Sequence, residues 1–257
     1  MADLWLLALG FGLLPLTALL LAAMPSVVRT RETATWGLLA GVVAFLGFAH
    51  AGATILEGNA YLRFEAGPAV SAATAAAGLV LGIGLGWVVL GRRAGTETTL
   101  AAVAGAAAVY VALHSVADGF VLGEAYAGPV APGFPVTAAV VGGTLLHRFA
   151  EGALIVVPAI LAAWRPPRWI GLLLVGLITL PAAFVPVAIF APSSVSTGRV
   201  ALDQAVSVFA AGVEAGFAAL FLFLALLPRI QAAKDRRWAV WAGLAFTGML
   251  LLHFLVE

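Results

Sequence analysis

The stretch "TLAAVAGAAAVYVALHSVADGFVLGEAY", residues 99–126, decides the fold. It is an apolar run of roughly 28 residues, longer than the 20 or so that span a bilayer as a helix. In its midst stand His114 and Asp118, four residues apart. The next apolar run repeats the arrangement: "LLHRFAEG" at 145–152 holds His147 and Glu151, with Arg148 between them. Positions i and i+4 share a helix face, so each pair points one way, and Ser115 stands beside the first. Ionisable groups inside hydrocarbon are costly, and they default to a functional reading.

Six further apolar runs surround these two. Together the eight lie at about 4–24, 35–56, 68–90, 99–126, 135–163, 169–192, 203–228 and 237–255. The chain has 257 residues, 63% hydrophobic and 10% charged, where soluble domains are about 25% charged. The expectation is an all-α polytopic membrane protein, one transmembrane domain over 1–257, multi-pass in the cell (cytoplasmic) membrane of a prokaryote. The N-terminus has Asp3 and no basic segment before its apolar run, so it reads as a retained first helix rather than a cleaved signal. A net charge of +1 points to no nucleic-acid partner. With no cysteine, any metal must be held by histidine, carboxylate, hydroxyl or backbone oxygen.

The connections alternate in charge. Those after runs one, three, five and seven carry Arg29, Arg31, Arg92, Arg93, Arg165, Arg168, Arg229, Lys234, Arg236 and Arg237. Those after two, four and six carry only Arg63 and Arg199. Basic residues favour the cytoplasmic side, so this asymmetry supports eight spans with both termini extracytoplasmic. Trp5, Trp36, Trp164, Trp169, Trp238 and Trp241 fall near span ends and read as interfacial anchors. Glycines such as those of "GLVLGIGLG" (78–86) permit close helix approach.

A short link makes the fourth and fifth spans antiparallel neighbours, so two imidazoles and two carboxylates converge at one depth. That set suits a divalent first-row cation: zinc, or iron, manganese, cobalt or cadmium. Lone pairs must be free to bind, so affinity falls as pH falls. His50 and Glu214 are further candidates along a cation pathway. His253, close to the C-terminal end, reads as structural.

These motifs resemble the ZIP (Zrt/Irt-like) family of divalent metal transporters. "HSVADG" (114–119) is similar to the family's fourth-span His-Asn/Ser-x-x-Asp-Gly, "HRFAEG" (147–152) to its fifth-span His-Glu-x-Pro-Glu-Gly, and "GVVAFLGFAH" (41–50) to its second-span run ending in histidine. The resemblance implies eight spans, termini outside, a homodimer, and transport of the cation into the cytoplasm by alternating access, with no enzymatic activity and no resident cofactor. It implies that His114, Asp118, His147 and Glu151, with Ser115 alongside, match the family's two-metal centre, the two acids bridging to its second metal. The departures are systematic. Arg148 stands where the family has an acid, Ala150 replaces the fifth-span proline, and the sixth-span Glu-Pro is Leu180-Pro181. "ALFLFLALLPR" (219–229) has no ligand, and the histidine-rich loop is reduced to "GRRAGTETT" (91–99). Both the arginine and the lost acid subtract negative charge from one place. The implied outcome is a one-metal centre in which the guanidinium replaces the second cation, or a buried ion pair that orders the helices. Two other functions compete: an intramembrane zinc-dependent hydrolase using Ser115 and Asp118, and a non-transporting metal sensor.

Overall fold

The computed structural model describes residues 10–91, 99–127, 138–190, 197–232 and 235–256. Every regular element among them is helical. The first apolar helix is α1 (Gly10–Ala22); the start of the expected run at 4–24, with Trp5, lies outside the described residues. A short α2 (Pro25–Thr30) leads into α3 (Glu32–Glu65), followed by α4 (Pro68–Leu90), α5 (Leu100–Ala127), α6 (Ala138–Leu161) and α7 (Pro166–Phe190). Helix α8 runs over Thr197–Leu220, passes a π turn at Phe221–Leu226 and ends with Leu227–Ala232. Helix α9 is Trp238–Val256. Among the described residues, six helices, α3 to α8, are long and apolar enough to cross a membrane, and α1 and α9 are shorter apolar helices. The chain is thus an all-α, multi-pass membrane protein.

The described boundaries follow the apolar runs to within about four residues except at the start of α8, which is Thr197, and at the end of α3. Helix α3 continues past residue 56 to Glu65 through "EGNAYLRFE". Nothing in that segment breaks a helix outright, and the chain turns only at Gly67, whose φ of +88° suits a residue without Cβ, before Pro68 starts α4. Ser71 Oγ donates to Asn59 Oδ1 at 2.6 Å, tying this polar extension to the next helix. At the other end of the bundle, α6 closes in a Schellman turn: Trp164 N donates to Ala159 O and Ala163 N to Ile160 O, with Ala163 at φ 55°.

Helices α5, α6 and α8 form the centre. More than half of the apolar window of each is buried, against 22% for α4. The seam between α4 and α8 is made by small residues. A Cβ at Gly78 or Gly82 on α4 would overlap the backbone oxygens of Phe209 or Val213 on α8, and one at Gly216 would overlap Leu79 O. Helices meet in lipid mainly through such close backbone approach. Trp36 and Trp169 are buried inside the protein rather than standing at its surface as anchors. Trp36 Nε1 donates to Glu32 Oε1 at 3.0 Å, so its polar edge is satisfied within its own helix. Trp164 lies beneath the Arg168 guanidinium, 4.1 Å from the ring centre.

Candidate metal centre

Helix α5 offers Tyr110, His114 and Asp118 at successive i+4 positions, and α6 offers His147 and Glu151. Each acid is followed by a glycine that receives a neighbouring helix. Leu180 O of α7 lies 2.5 Å from where a Gly119 Cβ would stand, and Pro15 O of α1 lies 2.5 Å from the Gly152 equivalent. The motif's acid therefore faces inward while its glycine lets the next helix seal the flank.

The two faces interleave. His114 Nε2 lies 3.0 Å from His147 Nε2, 3.5 Å from Asp118 Oδ2 and 3.5 Å from Glu151 Oε1. His147 Nε2 lies 2.8 Å from Glu151 Oε1 and 4.0 Å from Asp118 Oδ2. A four-coordinate cation with bonds of about 2.0–2.2 Å sets its ligand atoms about 3.4 Å apart. The five separations scatter around that value. The four residues form one ligand-competent group, as the spacing of the motifs predicts. Glu151 Oε1, at the heart of the ring, is a buried carboxylate oxygen that receives no well-aligned hydrogen bond among the described residues, its neighbour His147 Nε2 at 2.8 Å included. Leaving such an atom without a good hydrogen bond is costly, and a cation held by the ring would satisfy it.

Arg148 closes the other side of the acids. Its NH1 donates to Glu151 Oε2 at 2.6 Å and its NH2 to Asp118 Oδ2 at 2.9 Å. One planar guanidinium thus bridges both carboxylates, a geometry suited to its fixed fork of donors. Glu151 keeps Oε1 for the ring, and Asp118 Oδ2 has lone pairs enough for both neighbours. Ser115 Oγ accepts from Arg148 NH1 at 3.4 Å, so it supports the guanidinium.

Glu214 stands behind the ring. It is buried on α8, and His114 Nδ1 donates to its Oε1 at 2.9 Å, as does Tyr110 OH at 3.3 Å. A carboxylate only accepts, so Nδ1 carries a proton, and in the neutral imidazole the lone pair is then on Nε2, facing the ring. This is the carboxylate–histidine arrangement that orients metal-binding imidazoles. Tyr110 was not among the residues singled out from sequence, although its i−4 spacing from His114 was the available signal. His50 contributes an imidazole 5.5 Å from that of His114, centre to centre, and His253 lies 5.4 Å beyond it.

Among the described residues, every buried charged side chain, namely Arg148, Glu151 and Glu214, belongs to this cluster. Within the ring, His147 and Asp118 are the more open pair, with side chains 21% and 16% exposed, whereas His114 and Glu151 are fully buried. The formal charge is −3 from Asp118, Glu151 and Glu214 and +1 from Arg148, or −2 with neutral imidazoles. One divalent cation cancels it. Compared with known proteins, the chain matches no family model and no curated relative.

Proposed function

We propose that this protein is a divalent-cation transporter of the ZIP type, carrying zinc or a similar first-row ion into the cytoplasm through the His114/Asp118/His147/Glu151 ring. The observation that carries the reading is the buried Glu151 Oε1, without a well-aligned hydrogen bond, set among two imidazole nitrogens and a second carboxylate at cation-ligand spacing. In this reading all eight apolar helices span the membrane, with both termini outside, and the chain works as a homodimer. Arg148 stands in for the second cation of the family's two-metal centre. The charge balance supports this, because a second divalent ion would leave an uncancelled +2 in a buried site.

In each cycle the two imidazoles and one oxygen from each acid replace the ion's hydration shell. Arg148 bridges the two acids and offsets one of their charges when the cation leaves. Glu214 keeps the His114 lone pair aimed inward. The hydrolase reading is less well supported, since Ser115 points to Arg148 rather than into the ligand ring.

The test is uptake into proteoliposomes of Zn²⁺, Fe²⁺, Mn²⁺, Co²⁺ and Cd²⁺. Native protein is expected to accumulate at least one of them, less at lower pH, and His147→Ala to lose more than nine-tenths of that rate. No uptake of any cation, with binding intact, would favour the sensor; uptake indifferent to His147→Ala would overturn the site. Arg148→Glu should raise bound metal from one to two per chain by elemental analysis. An unchanged ratio would refute the stand-in role.

A further inference from the structure

The core holds a second set of donors that shares one residue with the ring. His50, His114 and Glu214 each offer one ligand atom, and these atoms lie within 4.8 Å of one another. They come from three helices, α3, α5 and α8. His50 closes a π turn, Phe45–His50, inside α3. Such turns reset which face a side chain occupies and recur at functional sites. Within the turn, a Cβ at Gly47 would overlap the Ala218 side chain, so α3 and α8 touch there and His50 is brought beside Glu214. His50 Nδ1 is buried and has no hydrogen-bond partner among the described residues. Like Glu151 Oε1 in the first ring, it is a polar atom that its surroundings do not satisfy.

We propose that His50, His114 and Glu214 form a second station for a borderline divalent cation, and that the two stations are occupied one at a time. His114 is the reason for the alternation. A neutral imidazole has one lone pair. With its proton on Nδ1, toward Glu214, the ring serves the first station through Nε2. With the proton on Nε2, Nδ1 and the Glu214 carboxylate serve the second. Charge reinforces the exclusion, since the cluster's formal −2 is cancelled by a single ion. A cation leaving the His147 side therefore passes to the His50 side across one imidazole, and the tautomer of His114 records where it is. The proposal rests on reading the first ring as a cation site, but the two readings fail separately.

The experiment uses full-length purified protein and Co²⁺, followed by its visible absorption and by elemental analysis. Native protein is expected to bind one equivalent. His147→Ala/Glu151→Gln, which disables the first ring, should still bind one equivalent about tenfold or more weakly, with a changed spectrum. Adding His50→Phe should abolish that residual binding. His147→Ala alone, with every charge intact, supplies a second background if the double variant does not fold, and His50→Phe must weaken Co²⁺ binding there too. No residual binding in either background, or binding that survives His50→Phe, overturns the second station. Two equivalents on native protein overturn the alternation. No binding to native protein would instead defeat the function proposed above, and this station with it.

Discussion

Two regions of this bundle are held by opposite means. Helix α4 brings no charged residue to its seam with α8: Gly78, Gly82 and Gly216 let bare backbone meet backbone. The cluster between α5 and α6 packs three carboxylates, one guanidinium and several imidazoles into a buried core. In hydrocarbon, apolar surface gains little by leaving lipid for protein, so the seam must earn its stability through close fit. The cluster gains nothing from fit and a great deal from charge balance. The seam should therefore answer to volume and be blind to cations, while the cluster should answer to charge and to cations.

The largest expected effect is at Arg148. Arg148→Met keeps the stem's bulk and removes the only positive side chain touching Asp118 and Glu151 among the described residues. Breaking a buried pair this way costs about 3–5 kcal/mol. Zn²⁺ should then protect the variant more than it protects native protein, because a cation restores the missing charge. Melting temperatures with and without Zn²⁺ measure both effects. A variant as stable as the native chain, with an unchanged response to Zn²⁺, would show that charge balance does not hold the cluster.

Volume is tested at Gly82. Gly82→Leu drives a side chain into the Val213 backbone, and overpacking of this kind costs about 1–3 kcal/mol. Zn²⁺ affinity of the folded fraction should stay within about threefold of native. A large loss of affinity would mean that seam and cluster are not separable. Between the two lies Glu214→Leu, which removes the acceptor behind His114 with little change of volume. Loss of such an orienting partner weakens metal binding by about 10–100-fold, and calorimetric titration with Zn²⁺ reads it. An unchanged affinity would return Glu214 to a purely structural role.

How much of this was legible beforehand depends on distance along the chain. The His–acid pairs were readable because i and i+4 are a local relation, and the approximate positions of the six long apolar helices followed from run length. Arg148 was readable as a cation aimed at the acids, though not as a bridge between them. The Glu214–His114 bond joins residues 100 positions apart, and no local pattern encodes it. Glu214, read as a group along a cation pathway, also backs the ring through His114. His50 depends on a π turn, which shifts the face that a regular helix would present. The extension of α3 to Glu65 escaped because hydropathy marks where a helix stops being apolar, whereas the helix itself stops at Gly67.

The smallest expected effect belongs to neither region, and it calibrates the comparison. Ala163 holds a left-handed conformation, φ 55°, at the end of α6. That conformation costs a residue with a Cβ about 1–2 kcal/mol, while glycine loses about 0.5–1 kcal/mol through its greater freedom when unfolded. The difference favours Ala163→Gly by about 0.5–1 kcal/mol. The substitution touches neither cluster nor seam, yet it lies on the helix that carries His147, Arg148 and Glu151. A small rise in melting temperature with unchanged Zn²⁺ affinity is therefore expected. If affinity moved as well, the position of α6 along its own axis would be part of what sets the ligand ring, and stability and binding would be coupled through that helix rather than through charge alone.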